Sequence, residues 1–281
     1  MAREFHYRLA RRTPGWRPGS HHGASLGSGQ EFIAHERLYD RPDPRRLDLR
    51  ASLANIERQW LVRSTRQRAS INVHVIVDVS ASMSFGPNGG KLAIAAEFLE
   101  ALGNSAFRAG DTLSMLAFDS RLRTDLYVPP LRGRGTGEMM ARRVLDSRGA
   151  AGDGSALREA TMLMRRAALL FLLSDFHWSL QGLRRALDPL VHALVVPLVL
   201  WSSAELQPPA EDGFAPLRDV ETGRRRTLWV RPQLRSDWHA SVCARREELA
   251  RIFQPCGMRP LYVIDQFSSA AVSRYFFELA G

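Results

Sequence analysis

The feature that most restricts this chain is the run Ile71-Asn72-Val73-His74-Val75-Ile76-Val77-Asp78-Val79-Ser80, β-branched and apolar at nearly every position. A half-exposed strand alternates apolar and polar residues. A run without that alternation belongs to a strand covered on both faces, which requires helices above and below a sheet. Helical spacing follows over 91–110. DTLSMLAFDS (111–120), ALLFLLSDF (168–176) and HALVVPLVLW (192–201) supply further strands, with RLRTDLYVPP (121–130) as another. Helices are expected over 135–148, 155–167 and 178–190. Strands alternating with helices imply crossover connections and a largely parallel central sheet flanked by helices, an α/β fold of Rossmann type.

Residues 1–70 read differently. The first thirty are rich in Arg, Gly, Ser and Pro and read as an extended arm or loop. The two prolines of RLYDRPDPRRLDLR argue against a long helix there. These residues form an irregular N-terminal extension, packed on or leading into an α/β domain over 71–281. Near the C-terminus a hairpin is expected to turn at Glu221-Thr222-Gly223. Beyond it an amphipathic helix ends at Gly257, followed by a strand (259–265) and a last helix (268–281).

Charge is unevenly spread. The net charge is +10, and residues 1–70 hold fourteen Arg against seven Asp and Glu. Lys91 is the sole lysine. Arginine makes planar bidentate contacts with carboxylates and phosphates, so this end could meet an acidic partner or nucleic acid. Phe32, Tyr39 and Trp60 are too sparse for a base-stacking platform and are expected in the core. No apolar stretch reaches the roughly 18 residues of a membrane span, no secretory leader is apparent, and Cys243 and Cys256 cannot make a disulfide framework. These features point to the cytoplasm.

The local chemistry concentrates at VIVDVSASMS, where Asp78, Ser80 and Ser82 leave a buried strand at i, i+2 and i+4. Ligands of an open α/β sheet bind at the carboxyl ends of its strands. Ser155, before a helix, and Asp175, ending another strand, bring matching oxygens to the same rim. Two carboxylates and three hydroxyls form a hard donor set suited to Mg²⁺, with Mn²⁺ or Ca²⁺ as substitutes. With few anions around the ion, an outside carboxylate can take one position. The competing reading is that Asp and Ser merely cap helices.

Asp78-Val79-Ser80-Ala81-Ser82, Ser155 and Asp175 together resemble the metal-ion-dependent adhesion site of von Willebrand factor A domains, with Ser155 replacing the usual Thr. The resemblance is closer to the MoxR-associated proteins of unknown function that carry such a domain. Their N-terminal signature is matched by Gly27-Ser28-Gly29-Gln30-Glu31-Phe32, then Arg37, Tyr39, Asp43, Arg46, Leu47 and Asp48. Glu205, Pro208, Pro209 and Gly213, then Asp219 to Gly223, are similar to the C-terminal signature. The branch's Gly-Asp-Asp and Ile-Asp-Trp read Arg41-Pro42-Asp43-Pro44 and Leu47-Asp48-Leu49 here. The resemblance implies a non-enzymatic interaction protein. Its implied partners are a MoxR-type AAA+ ATPase and a client whose maturation or metal loading it assists. The segment PDPRRLDLRASL is most similar to members from methanol-dehydrogenase gene clusters.

Other residues carry weaker signals. Asp119 suits a loop cap. Asp153 is an alternative to Ser155. His177 lacks a paired nucleophile, and His21 and His22 lack partners at zinc spacing. Phosphate-loop, dinucleotide, nucleophile-elbow and zinc-protease motifs are missing. A phosphatase using a strand-end aspartate needs a second acid where Ser80 stands. The alternatives are therefore nucleic-acid binding through the Arg-rich region and a metal-dependent hydrolase.

Overall fold

A computed structural model describes residues 4–9, 18–86, 89–147, 154–164, 168–208, 211–218 and 225–280. The chain divides into two compact units. One is Arg8–Ile71; the other joins Met1–Tyr7 to Asn72–Gly281.

In the Arg8–Ile71 unit, β1 (Pro18–Arg37) pairs antiparallel with β2 (Leu61–Ala69), and the short helix α1 (Leu49–Ala54) lies between them in sequence. The glycine- and serine-rich stretch read as an arm or loop thus becomes a strand from Pro18 onward. Cross-strand backbone pairing overrides its poor strand propensity, and the register slips repeatedly between Pro18 and Ala34. Asp48 caps α1 by accepting from the Ala51 amide at 3.0 Å. The aromatics expected in the core are outside it: Tyr39 is 94% exposed, Trp60 53% and Phe32 45%. A two-stranded ribbon and a six-residue helix offer too little apolar area to cover them. Within the ribbon His21 is buried, and His22 faces Glu31 at 3.3 Å.

The larger unit is built on a six-stranded sheet. In chain order its elements are β3 (Asn72–Asp78), α2 (Gly90–Ala109), β4 (Thr112–Phe118), β5 (Leu122–Leu131), α3 (Thr136–Asp146), α4 (Leu157–Leu163), β6 (Leu169–Ser174), α5 (Leu183–Leu187), β7 (Leu194–Trp201) and α6 (Ser203–Leu206). There follow β8 (Gly213–Arg218), β9 (Arg225–Val230), α7 (Pro232–Phe253), β10 (Leu261–Ile264) and α8 (Ser269–Ala280). The strand order is β10-β7-β6-β3-β4-β5. Every pairing is parallel except that of the edge strand β5 with β4. β8 and β9 form a separate antiparallel hairpin; its expected turn at Glu221–Gly223 lies outside the described residues. α7 runs into a short 3₁₀ turn that Gly257 closes at φ +68°, the left-handed cap its sequence called for.

Burial follows the two-residue strand period. Leu170 and Leu172 of β6 join a cluster containing Phe118, Trp201, Leu249 and Phe253. Phe171 between them meets Phe5, Phe98 and Phe276. Phe5 and Tyr7 are buried in this unit, and the Tyr7 hydroxyl donates to Asp111 at 2.6 Å. The first residues therefore complete the α/β core instead of the Arg-rich extension. α2 and α3 touch backbone to backbone, since a Cβ on Gly103 would lie 2.5 Å from the Gly137 Cα. Among the described residues no helix is long and apolar enough to cross a membrane.

The strand order positions the site. From β3 the chain steps to β4 on one side and later returns to β6 on the other, so the direction of winding reverses between β3 and β6. Strand-end loops diverge at such a point and leave a crevice. Val77 pairs with Leu173, which sets Asp78 level with Ser174 at the carboxyl rim.

Candidate functional site

Asp78 ends β3 and is fully buried. Its Oδ1 accepts from the Ser80 amide at 2.9 Å. Its Oδ2 accepts from the Ser174 hydroxyl at 2.6 Å and the Trp178 indole N–H at 2.9 Å. Ser80 is also buried, and its hydroxyl lies 3.2 Å from that of Ser82 in the 3₁₀ turn Ala81–Ser84. The i, i+2, i+4 spacing therefore clusters one carboxylate and two hydroxyls as the strand turns over. Burial, and after it the charge of Asp175, push the Asp78 carboxyl up to about 6, against the opposing effect of hydrogen bonds from Ser174 and Ser80. Asp78 thus carries negative charge that the protein only partly compensates.

Asp175 follows β6 and is fully buried. Its Oδ1 accepts from the His177 amide at 3.1 Å. The next residue, Phe176, has φ +53°, an uncommon left-handed conformation for a bulky side chain. The Ser174 hydroxyl accepts from the Phe176 amide at 2.9 Å and braces this turn. Asp175 Oδ2 accepts from the Lys91 ammonium at 2.6 Å. The same ammonium donates at 2.6 Å to Glu205 Oε1. Glu205 sits in α6, where a capping box ties it to Ser202: its Oε2 accepts from the Ser202 amide at 3.0 Å. His177 Nε2 lies 3.5 Å from that oxygen, and its ring stacks on Trp201. Burial raises the Glu205 carboxyl, but His177 and Lys91 more than offset it and hold it below the ordinary value.

Ligand atoms of Asp175, His177 and Glu205 all lie within 4.8 Å of one another. In the present arrangement the Lys91 ammonium offsets one of the two negative charges of this trio. Across the whole rim, three carboxylates (Asp78, Asp175 and Glu205) face one ammonium, leaving two negative charges to balance.

Ser155 is exposed in the loop before α4, where its hydroxyl donates to the Ser120 carbonyl at 3.4 Å. The loop reaches the site through Trp178: a Cβ on Gly154, whose φ is +51°, would fall 2.5 Å from the indole nitrogen that donates to Asp78. Glycine is therefore required at 154, both for conformation and for room. Asp153 lies outside the described residues. Asp119 caps its own turn, accepting from the Arg121 amide at 2.9 Å, and pairs with Arg123 at 3.1 Å. Cys243 and Cys256 are free thiols.

The structure thus brings together Asp78, Ser80, Ser82 and Asp175, and adds Lys91, Glu205, Ser174 and Trp178. Two of these additions had a signal in the sequence. Ser202-Ser203-Ala204-Glu205 is a capping-box pattern at the end of a strand. Lys91 is the one lysine in a chain of 39 Lys and Arg residues.

Fold and site define an α/β protein with a buried acidic rim at the switch point of a mostly parallel sheet. The chain belongs to the family described as "Protein of unknown function DUF58", whose model matches residues 37–248. Relatives include the uncharacterized proteins Mb1516 of Mycobacterium bovis and Rv1480 of Mycobacterium tuberculosis. Each is 28% identical over 250 residues, covering 85% of this chain and 76% of the relative. Among solved structures, the conserved hypothetical protein BatB of Bacteroides thetaiotaomicron superposes with a TM-score of 0.44 at 17% identity, covering 75% of this chain and 99% of that one. An aerotolerance-related membrane protein of Bacteroides fragilis gives 0.46 at 13% identity, covering 74% and 98%.

Proposed function

We propose that this protein is a non-enzymatic, metal-dependent interaction module that captures an acidic side chain of a partner at the carboxyl rim of its sheet. The observation that carries this reading is Asp78: a fully buried carboxylate, its charge only partly compensated, beside two hydroxyls 3.2 Å apart. All donors there are hard oxygens, the preference of Mg²⁺ and equally open to Mn²⁺ or Ca²⁺. The two uncompensated negative charges of the rim match one divalent cation. Ser80 and Ser82 would hold it directly, Asp78 and Asp175 directly or through water, and Ser155 would join or leave as its loop moves. A bound ion of this kind supplies an open coordination position that a carboxylate from outside can fill. The resemblance to MoxR-associated proteins supports a MoxR-type AAA+ ATPase and its client as the partners, with maturation or metal loading of the client as the task and methanol dehydrogenase as one candidate client.

Purified protein is expected to bind a cognate MoxR-type ATPase or client in Mg²⁺ and release it in chelator. Asp78→Ala should abolish the Mg²⁺-dependent part while leaving the circular dichroism spectrum unchanged. Equal partner affinity with and without chelator overturns the proposal.

A further inference from the structure

Lys91 is an exception in this chain. Of the 39 Lys and Arg residues, it alone is lysine, and its side chain is 1% exposed. The Phe85 ring covers it, with the ammonium 5.9 Å from the ring centroid. Its two carboxylate partners come from different strand ends, Asp175 after β6 and Glu205 after β7, each at 2.6 Å. A guanidinium presents a planar fork of five donors, while an ammonium is a compact point charge. A compact ammonium fits the enclosed space between these two carboxylates, which approach from separate loops. In its size and in its two short oxygen contacts, the ammonium stands where a small cation would stand.

Asp175 is also one of the oxygens assigned above to the divalent ion. One of its oxygens is occupied by the ammonium and the other by the His177 amide. Asp78, on the neighbouring strand, takes its hydrogen bonds from Ser80, Ser174 and Trp178. The two halves of the rim are therefore handled differently: Asp175 faces a built-in cation, whereas Asp78 is held by neutral hydrogen-bond donors alone.

We infer that Lys91 is a tethered cation that competes with the divalent ion for Asp175. This rests on the metal-binding reading proposed above. Without metal, the ammonium keeps Asp175 and Glu205 together and preserves the loop geometry. For Asp175 to reach an ion, Lys91 must release Oδ2 and rest on Glu205 alone. The lysine thereby weakens the metal site and makes its occupancy responsive to ion concentration. Two ligands that compete for one group are coupled reciprocally, with typical factors between about 5 and 150.

The test is calorimetric titration of Mg²⁺ and Mn²⁺ into the full-length wild type and Lys91→Met, with thermal melts in chelator and in excess Mg²⁺. Lys91→Met should bind about tenfold or more tightly, and its melting temperature, lowered in chelator, should recover in Mg²⁺. Adding Asp78→Ala to Lys91→Met should remove the gain. If Lys91→Met does not fold without metal, Lys91→Met with Glu205→Gln removes one of the two carboxylates that faced the ammonium and serves for the same titration. Binding in Lys91→Met alone supports the inference in its strongest form. Equal or weaker binding than wild type overturns the tethered-cation role and leaves the metal reading standing. Absence of divalent binding in every variant, wild type included, overturns both.

Discussion

The carboxyl rim of the sheet and the Arg8–Ile71 unit both concentrate charge, and they use it in opposite ways. At the rim, one ammonium and two carboxylates are almost wholly withdrawn from water: Lys91 is 1% exposed, Asp175 0% and Glu205 17%. In the Arg-rich unit, Arg37 and Glu57 meet at 3.2 Å with side chains 56% and 61% exposed. A buried pair is held in place because removing one partner strands the other charge in a low-dielectric interior. An exposed pair competes with water and contributes little. The net charge of +10 bears on what the protein meets. The single buried lysine bears on how the site is built.

The largest expected effect of breaking this contrast is at Lys91. Lys91→Ala in metal-free protein should lose about 3–5 kcal/mol in urea unfolding. A loss below about 1 kcal/mol would mean that water already reaches the trio.

Two titratable groups on β3 sharpen the comparison by pulling in opposite directions. Asp78, raised from 3.8 to about 6, binds its proton more tightly folded than unfolded, so its contribution to stability falls as pH rises through that window. His74 is lowered from 6.5 to about 4 by burial; folding favours its neutral form, and its contribution grows as pH rises from about 4 to 6.5. Each is on the order of 3 kcal/mol. In wild type the two slopes largely cancel between pH 4 and 6. Asp78→Asn should uncover the histidine slope, seen as stability climbing with pH in denaturant titrations without metal. Superimposable pH profiles for the two proteins would contradict this assignment.

At the small end, a double-mutant cycle on Arg37→Ala and Glu57→Ala should return a coupling of about 0.2–1 kcal/mol that shrinks in high salt. A salt-insensitive coupling above that range would show the Arg-rich unit to be as organised around charge as the rim.

Much of the larger unit could be read from residue pattern. The unalternating run into Asp78, the apolar strand into Asp175 and the helical spacing between them specify a buried parallel sheet, because only such strands need to be apolar on both faces. The glycine at 257 closes the C-terminal helix where a left-handed residue is needed. The N-terminal portion was less legible. Gly19, Ser20 and the residues after them carry no strand pattern of their own, and the ribbon exists because β2 supplies backbone partners. Tyr39, Trp60 and Phe32 look like core residues by type, yet that unit is too thin to enclose them.

Within the site, sequence alone determined that an aspartate and two hydroxyls leave a buried strand together, since i, i+2, i+4 spacing at a strand end is a local property. It also determined that a second strand ends on an aspartate. Only the tertiary structure decided that Lys91 lies between Asp175 and Glu205, residues 84 and 114 positions away. It likewise decided that Trp178 donates to Asp78 and that Ser155 faces the Ser120 carbonyl. Those outcomes depend on the strand order that places β6 and β7 beside β3. Strand order is a non-local result of packing, and no short stretch of residues encodes it.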